Sequence, residues 1–437
     1  MVLIVGGGWS GLAAAVELTA KGVPVTLVES ARTPGGRARS IKHRGGTYDN
    51  GQHLMLGAYR ELLRLLSVMG IPETQTFERH PLKLQLLRLN DGQTHTALEL
   101  TTSRLPAPFH IAAAMLGAKG LGSGDRWRAL RLCLQVVRAA PATDESVLNF
   151  LARHGQSTDL IMSLWGPLCL AIMNTAPEIA SARIFRRTLR DAFLFRRGDS
   201  DMLIQKGTLN EVFPRPAADW ITSQGGKILL GQRVTALLSE EGAVRGVRLA
   251  DGHEITSSRV ILALPPFELA RLLNGHCGAE KTTSTLAGIA YEPIATIYLH
   301  YPPEVTLGTP MIGLLGTTTQ WLLDRSYSGE PGLMAAVISA SGPHMKLSRN
   351  ELADRVAEEI ATLLPHWPAT IDRVCVREKR ATFRCQIGVD THRPNHESGL
   401  KGCLIAGDSS WLPYPATLEG ALRSGVECAR RLRRYKI

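Results

Sequence analysis

Short, nearly continuous apolar runs recur along this chain at Val2-Leu3-Ile4-Val5, Val25-Thr26-Leu27-Val28, Val260-Ile261-Leu262-Ala263-Leu264 and Leu404-Ile405-Ala406. Runs of that length read as strands buried on both faces, the kind that align in a parallel sheet covered by helices. Between the first two, Leu12-Ala13-Ala14-Ala15-Val16-Glu17-Leu18 has strong helix propensity and no breaker, so strand, helix and strand are expected in succession. Further along, Gly225-Gly226 precedes Lys227-Ile228-Leu229-Leu230, then Val234-Thr235-Ala236-Leu237 and Val247-Arg248-Leu249-Ala250 alternate, and Asp251-Gly252 supplies a hairpin turn. Two uncharged windows, 160–177 and 305–323, approach the length of a membrane span. Gly166 and Pro167 break the first and Gly and Thr dilute the second, so both are expected as buried core or tunnel lining.

At 437 residues the chain exceeds the usual size of one core, which predicts two domains. Its 44% hydrophobic and 20% charged content is that of a globular protein and excludes extended disorder. The seven cysteines are scattered, odd in number and never in a CxxC pair, which argues against a disulfide framework and a zinc site; no metal is expected. A reduced, cytoplasmic location is expected, since the first residues already form a strand with no signal-peptide pattern ahead of them. The net charge of +11 concentrates at Arg186, Arg187, Arg190, Arg196 and Arg197 and at Arg430, Arg431, Arg433, Arg434 and Lys436. No nucleic-acid-binding motif accompanies it, so anionic lipid is the expected partner and nucleic acid is not; a solvated basic helix face remains the alternative at the C-terminus.

The first apolar run ends in Gly6-Gly7-Gly8-Trp9-Ser10-Gly11. In a GxGxxG turn between strand and helix, Gly6 makes the tight turn, Gly8 lets the backbone approach a pyrophosphate and Gly11 lets helix and strand pack closely. The helix N-terminus, including Ser10, offers free N–H groups and a partial positive charge to phosphate. Glu29 closes the second strand 18 residues after Gly11, near the spacing expected of a carboxylate on a ribose hydroxyl, and it disfavours a 2′-phosphate.

Downstream stand Arg32-Thr33-Pro34-Gly35-Gly36-Arg37, Gly51-Gln52-His53, Gly407-Asp408 after the Leu404 run, and Leu418-Glu419-Gly420-Ala421. With these motifs the chain resembles the flavin amine oxidase and phytoene desaturase superfamily over essentially its full length. The resemblance implies an α/β fold, with a Rossmann-like, discontinuous FAD-binding domain (1–80, 207–265 and 396–437) and an α+β substrate-binding domain (81–206 and 266–395). It implies FAD contacts from Gly6, Gly8, Ser10, Gly11, Glu29, Arg32, Gly36, Arg37, Val234, Gly407, Asp408 and Leu418. Asp408 would accept from the ribityl chain, and the helix opening at Leu418 would face the pyrimidine edge with its positive end. By residue type alone Asp408 also suits a helix cap or turn, and Arg37 a surface ion pair.

Within the superfamily, 48–59 resembles the plant and cyanobacterial desaturase branch more than the amine oxidases, and Trp165-Gly166-Pro167-Leu168-Cys169-Leu170-Ala171-Ile172-Met173-Asn174-Thr175, Glu378-Lys379-Arg380-Ala381-Thr382-Phe383 and Pro415-Ala416-Thr417-Leu418-Glu419-Gly420-Ala421-Leu422-Arg423-Ser424-Gly425 resemble more closely still the hydroxysqualene dehydroxylase branch, the squalene-associated desaturases. That resemblance implies reductive loss of an allylic hydroxyl to give squalene, within hopanoid synthesis. Against an amine oxidase, Thr417 stands where that family usually places an aromatic cage residue. No proton donor is identified; His53 and Gln52 are the weak candidates, with a packed structural histidine the plainer reading of His53. A single GxGxxG implies an external electron donor. A long isoprenoid substrate partitions into bilayer, so peripheral contact with the inner face of the membrane is expected, through 105–121 and 126–138 or else with those segments as core. The competing readings are a carotenoid or polyene desaturase, an amine oxidase, and a non-catalytic flavin-binding lipid carrier.

Overall fold

The computed structural model describes residues 1–90, 93–137 and 143–434. Five strands form a parallel sheet in the order Lys227–Leu230, Val25–Glu29, Val2–Val5, Val260–Leu262, Cys403–Ile405. Val2–Val5 lies at the centre with all four residues buried, as its uninterrupted apolar run requires. Helix Trp9–Thr19 packs on one face of this sheet and is itself covered by the C-terminal helix Leu418–Arg434. Val2, Ile4, Leu12, Leu27, Leu404 and Leu422 share one apolar cluster there. The Asp251-Gly252 hairpin joins Ala243–Leu249 to Glu254–Thr256 beside this unit.

A second, seven-stranded sheet runs Asp372–Phe383, Tyr291–His300, Leu333–Ser339, Trp321–Asp324, Met311–Leu315, Lys83–Asn90, Gln93–Thr101. Among the described residues its only parallel pair is Met311–Leu315 with Lys83–Asn90. A helical layer that includes Phe109–Leu116, Ser123–Val137, Gly166–Met173 and Ala182–Phe193 packs with this sheet around a common apolar cluster. Neither uncharged window is a span: 161–165 is a π-turn leading into Gly166–Met173, and 305–323 holds a loop and sheet strands. No helix among the described residues is long and apolar enough to cross a membrane.

One strand ties the two expected domains together. Met202–Gln205, expected in the 81–206 stretch, pairs antiparallel with Met55–Leu56 and Phe77–His80 of the N-terminal stretch. Leu203 joins the apolar cluster of the parallel sheet, whereas Met202 faces the other one. A four-residue strand can divide its side chains between two cores because successive residues point to opposite faces.

Candidate functional site

One continuous cavity of about 920 Å³ starts at the C-terminal end of the parallel sheet and runs between the helical layer and the seven-stranded sheet. At its first end lies the glycine turn. A Cβ on Gly11 would sit 1.9 Å from the Gly6 carbonyl oxygen, so only glycine lets the helix lie this close to the strand. Gly8 differs: a Cβ there would meet nothing nearer than the Gly36 Cα at 3.8 Å, and the open space belongs to the cavity. Helix Trp9–Thr19 begins at Gly8 with no side-chain cap. Its first internal bond runs from the Leu12 N–H to the Gly8 carbonyl, so the N–H groups of residues 9, 10 and 11 have no helical acceptor. The Ser10 hydroxyl is buried without a partner beside them. Unsatisfied donors at a helix N-terminus on a cavity wall make an anion cradle. Glu29 is held alongside, its Oε2 accepting from the Gly7 N–H at 2.6 Å and its Oε1 from the Ala31 N–H at 2.7 Å.

Arg37 and Asp408 meet across the cavity, Nη2 donating to Oδ1 at 2.7 Å, while Arg37 Nη1 donates to the Ala381 carbonyl. Burial lowers the guanidinium pKa, but the charge and hydrogen bond of Asp408 outweigh it, and Arg37 ends above its ordinary value. Arg37 is about a third accessible, and because it lines the cavity this accessible surface faces the cavity. Asn50 donates to the Arg37 carbonyl at 2.9 Å and to Glu378 Oε2 at 3.2 Å. The buried Arg393 holds the far side, donating to the carbonyls of Asp408, Ser409 and Trp411. Ser424 accepts from the Gly407 N–H. Thr417 accepts from the Gly420 N–H and so caps helix Leu418–Arg434; the hydroxyl occupies the position expected of an aromatic cage residue because the helix needs it there.

Beyond this waist the cavity is walled by aliphatic side chains, among them Leu84, Leu100, Ile111, Met115, Leu168 and Met311. Two of the stretches that carry the narrower resemblance, 165–175 and 378–383, meet on its wall. Asn174, left-handed at φ 48°, closes helix Gly166–Met173 and donates to Thr382 Oγ1 at 2.9 Å and to the Pro293 carbonyl. Its own oxygen accepts from the Ala340 N–H at 2.6 Å.

Gly6, Gly8, Ser10, Glu29, Gly36, Arg37, Val234, Gly407, Asp408 and Leu418 all line this cavity. Gly11 lies beneath it, in its packing role. Arg32 is exposed and off the cavity wall, because the chain bends outward after Glu29 and turns back in only at the buried Pro34 and Gly35. Gln52 lines the cavity, but both ends of its amide are committed, Nε2 donating to the Tyr298 hydroxyl and Oε1 accepting from Arg325. His53 also lines it. Its Nδ1 faces the Gly51 carbonyl at 3.2 Å, an acceptor only, so Nδ1 carries the proton and Nε2 is left as an acceptor. Burial, reinforced by Arg37, pushes its pKa down. His53 is therefore neutral near pH 7 and suited to accept a hydrogen bond rather than to donate a proton.

The basic clusters are largely spent internally. Arg187 pairs with Asp191, Arg197 with Asp201, Arg430 with Glu17 and Arg431 with Glu427; Arg186 is buried and donates to the Gln135 carbonyl. Lys436 and Arg138 lie outside the described residues. Asn50, Glu378 and Tyr59 on the cavity wall were not singled out from sequence, where each sits among polar or aromatic neighbours without a distinguishing spacing.

The profile of the family described as flavin containing amine oxidoreductase matches residues 9–433. The chain is 27% identical to a hydroxysqualene dehydroxylase of Sinorhizobium fredii, covering 98% of this chain and 97% of that one. It is 24% identical to a zeta-carotene desaturase of Arabidopsis thaliana, covering 98% and 84%. Among solved structures, an oxidoreductase from Methanosarcina mazei has a TM-score of 0.76 at 16% identity, covering 98% of this chain and 99% of that one.

Proposed function

The chain belongs to the flavin-containing amine oxidoreductase family, whose cofactor is FAD, and within it we propose that it reduces a hydroxylated polyisoprenoid, converting hydroxysqualene to squalene with loss of water. The observation that carries this reading is the continuity of the cavity: the anion cradle and the Arg37–Asp408 waist open directly into an aliphatic chamber. A methyl-branched hydrocarbon with one hydroxyl asks such a wall for shape and dryness and for very few polar partners. The likeness to a hydroxysqualene dehydroxylase across almost the whole chain supports the same reading.

The residues present fit the cofactor. The free N–H groups at 9–11 and the Ser10 hydroxyl would hold the pyrophosphate, with Gly8 leaving it room, and Glu29 the adenosine ribose. The backbone of Val234 would meet the adenine; Gly36, Arg37, Gly407 and Asp408 would flank the ribityl chain, and the helix opening at Leu418 would face the ring. When bound and reduced by an external donor, FAD would supply the hydride that replaces the allylic hydroxyl, and that hydroxyl would depart with one proton as water. The chain does the rest. Aliphatic walls exclude water from a carbocation-like centre, the Asn174–Thr382 bond fixes the chamber wall against the sheet, and His53 Nε2 offers the substrate hydroxyl an acceptor that orients it.

The test is an anaerobic single turnover of FAD-reduced protein with hydroxysqualene, following flavin absorbance and extracting the lipid. Flavin oxidation with one equivalent of squalene is expected. Unchanged flavin and intact hydroxysqualene would overturn the reading. The likeness to a zeta-carotene desaturase favours as second reading a polyene desaturase, which would instead bleach the oxidised flavin on adding a polyene.

A further inference from the structure

Helices Phe109–Leu116 and Ser123–Val137 are apolar on two faces. Inward, Ile111, Met115, Cys133 and Val136 line the cavity. Outward, Phe109 is 63% exposed and Leu116 41%, seven residues apart on one stripe of the first helix. Trp127 at 57% and Leu134 at 64% repeat that spacing on the second. A surface helix is expected to turn polar residues to water, and one that does not is covered by something apolar. The feature is concentrated: of the fifteen exposed large apolar side chains among the described residues, six (Leu105, Phe109, Leu116, Trp127, Leu134 and Val137) fall in 105–137.

Charge identifies the cover. Within 104–137 stand Arg104, Lys119, Arg126, Arg128 and Arg131 against a single acid, Asp125. Arg128 pairs with Asp125 and Lys119 with Glu99, but Arg104 and Arg131 are exposed and in no ion pair among the described residues. Arg131 lies between Trp127 and Leu134 on the outward stripe. Aromatic and aliphatic side chains interleaved with unpaired arginines match the boundary between acyl chains and anionic headgroups; a second copy of this chain, itself carrying +11, would bring like charge to the patch.

We propose that these two helices form a docking platform for an anionic lipid surface, with the apolar chamber directly behind it, so that an apolar ligand passes between bilayer and chamber past the two helices without crossing water. His110, buried at the start of the first helix with Nε2 3.1 Å from the Ser200 hydroxyl, fastens the platform to the body. The inference stands on this surface and not on the reaction proposed above.

The experiment uses FAD-loaded protein and sedimentation with phosphatidylcholine vesicles, with and without phosphatidylglycerol. Wild-type protein is expected to sediment with the anionic vesicles, less so at raised salt. The triple variant Phe109→Ser, Trp127→Ser, Leu134→Ser is expected to lose binding by at least about tenfold, and Arg104→Ser with Arg131→Ser to lose the preference for phosphatidylglycerol, both with unchanged flavin absorbance. Brominated acyl chains are expected to quench a fluorescence component that disappears in Trp127→Phe. The proposal fails if wild-type protein ignores both vesicle types, if the triple variant binds undiminished, or if that variant instead turns a dimer into a monomer. Activity on hydroxysqualene in detergent is a separate readout, so loss of one leaves the other standing.

Discussion

Replacing Gly8 with valine separates holding the cofactor from holding the fold. Gly8 has φ −74° and ψ 178°, a backbone any residue adopts, and a Cβ there meets no atom closer than 3.8 Å. The apoprotein should therefore fold, with a stability change within about 1 kcal/mol for a helix-cap position and a shift in Tm on the order of 2 °C. The added methyl groups stand in front of the free N–H groups at 9–11. Hydrogen bonds from such donors to a charged partner contribute roughly 1.5–3 kcal/mol each, so displacing the pyrophosphate from two of them costs about 3–6 kcal/mol. That corresponds to a Kd for FAD raised roughly a hundredfold to ten-thousandfold. Flavin absorbance of the purified protein, fluorescence titration of the apoprotein with FAD, and the apoprotein Tm form the assay. Gly11→Ala is the contrast, because its Cβ would strike the Gly6 carbonyl and should lower the apoprotein Tm itself. Full flavin content and an unchanged Kd in Gly8→Val would refute the cradle.

Three further predictions rest on other parts of the molecule. Glu419 is fully buried; burial raises its pKa against the pull of Arg423, and its oxygens accept from the Glu61 and Leu62 N–H groups at the start of helix Arg60–Val68. Glu419→Ala leaves those donors and Arg423 uncompensated and should cost about 3–5 kcal/mol by urea unfolding, with Glu419→Gln losing less. His53, His110, His344 and His396 all have pKa values lowered, burial being the first cause in each. Below about pH 6.5 the unfolded chain binds protons that the folded one refuses, so the urea midpoint should fall as pH drops below that value and hold steady just above it; Glu419 acts in the opposite sense, and a Glu419→Gln background isolates the histidine slope. A midpoint that rises on acidification in that background would refute the assignment. Asn174→Ala removes three hydrogen bonds at a left-handed position that asparagine tolerates; it should cost about 2–4 kcal/mol and leave FAD affinity unchanged, since the residue holds the chamber rather than the cradle.

The parts legible in the sequence were those whose geometry is local. Val2 to Glu29 announces strand, turn, helix and strand because the apolar runs, the spaced glycines and the closing carboxylate all fall within 30 residues, and every strand of the parallel sheet was a largely apolar run. Contacts made at long range were not legible. Arg37 and Asp408, 371 residues apart, were each given a separate contact with the cofactor, and nothing in either motif says that they bind one another. Asn174 and Thr382 were both quoted as marks of a family, and only folding brings them onto one wall. Arg32 was grouped with the glycines after it because it is their neighbour in the chain, yet the bend at 30–34 turns it to solvent. The arginines of 186–197 read as an open patch because their partners, Asp191 and Asp201, carry no signal of pairing until helix and turn bring them into reach.

The strand order of the parallel sheet also sets a timetable. A ribosome delivers Val2–Val5 and Val25–Glu29 close together, but their neighbours Lys227–Leu230 and Val260–Leu262 emerge some two hundred residues later, and Cys403–Ile405 later still. At about 5–20 residues per second, the nascent chain spends tens of seconds with its central strand lacking a partner on one side, an open hydrogen-bonding edge of the sort that recruits chaperones or aggregates. Asp408 and then Leu418 reach the cavity later than the other residues expected to hold the cofactor, so the pocket is completed long after the glycine turn has formed, and flavin supply during expression should govern the yield of folded protein as much as its colour.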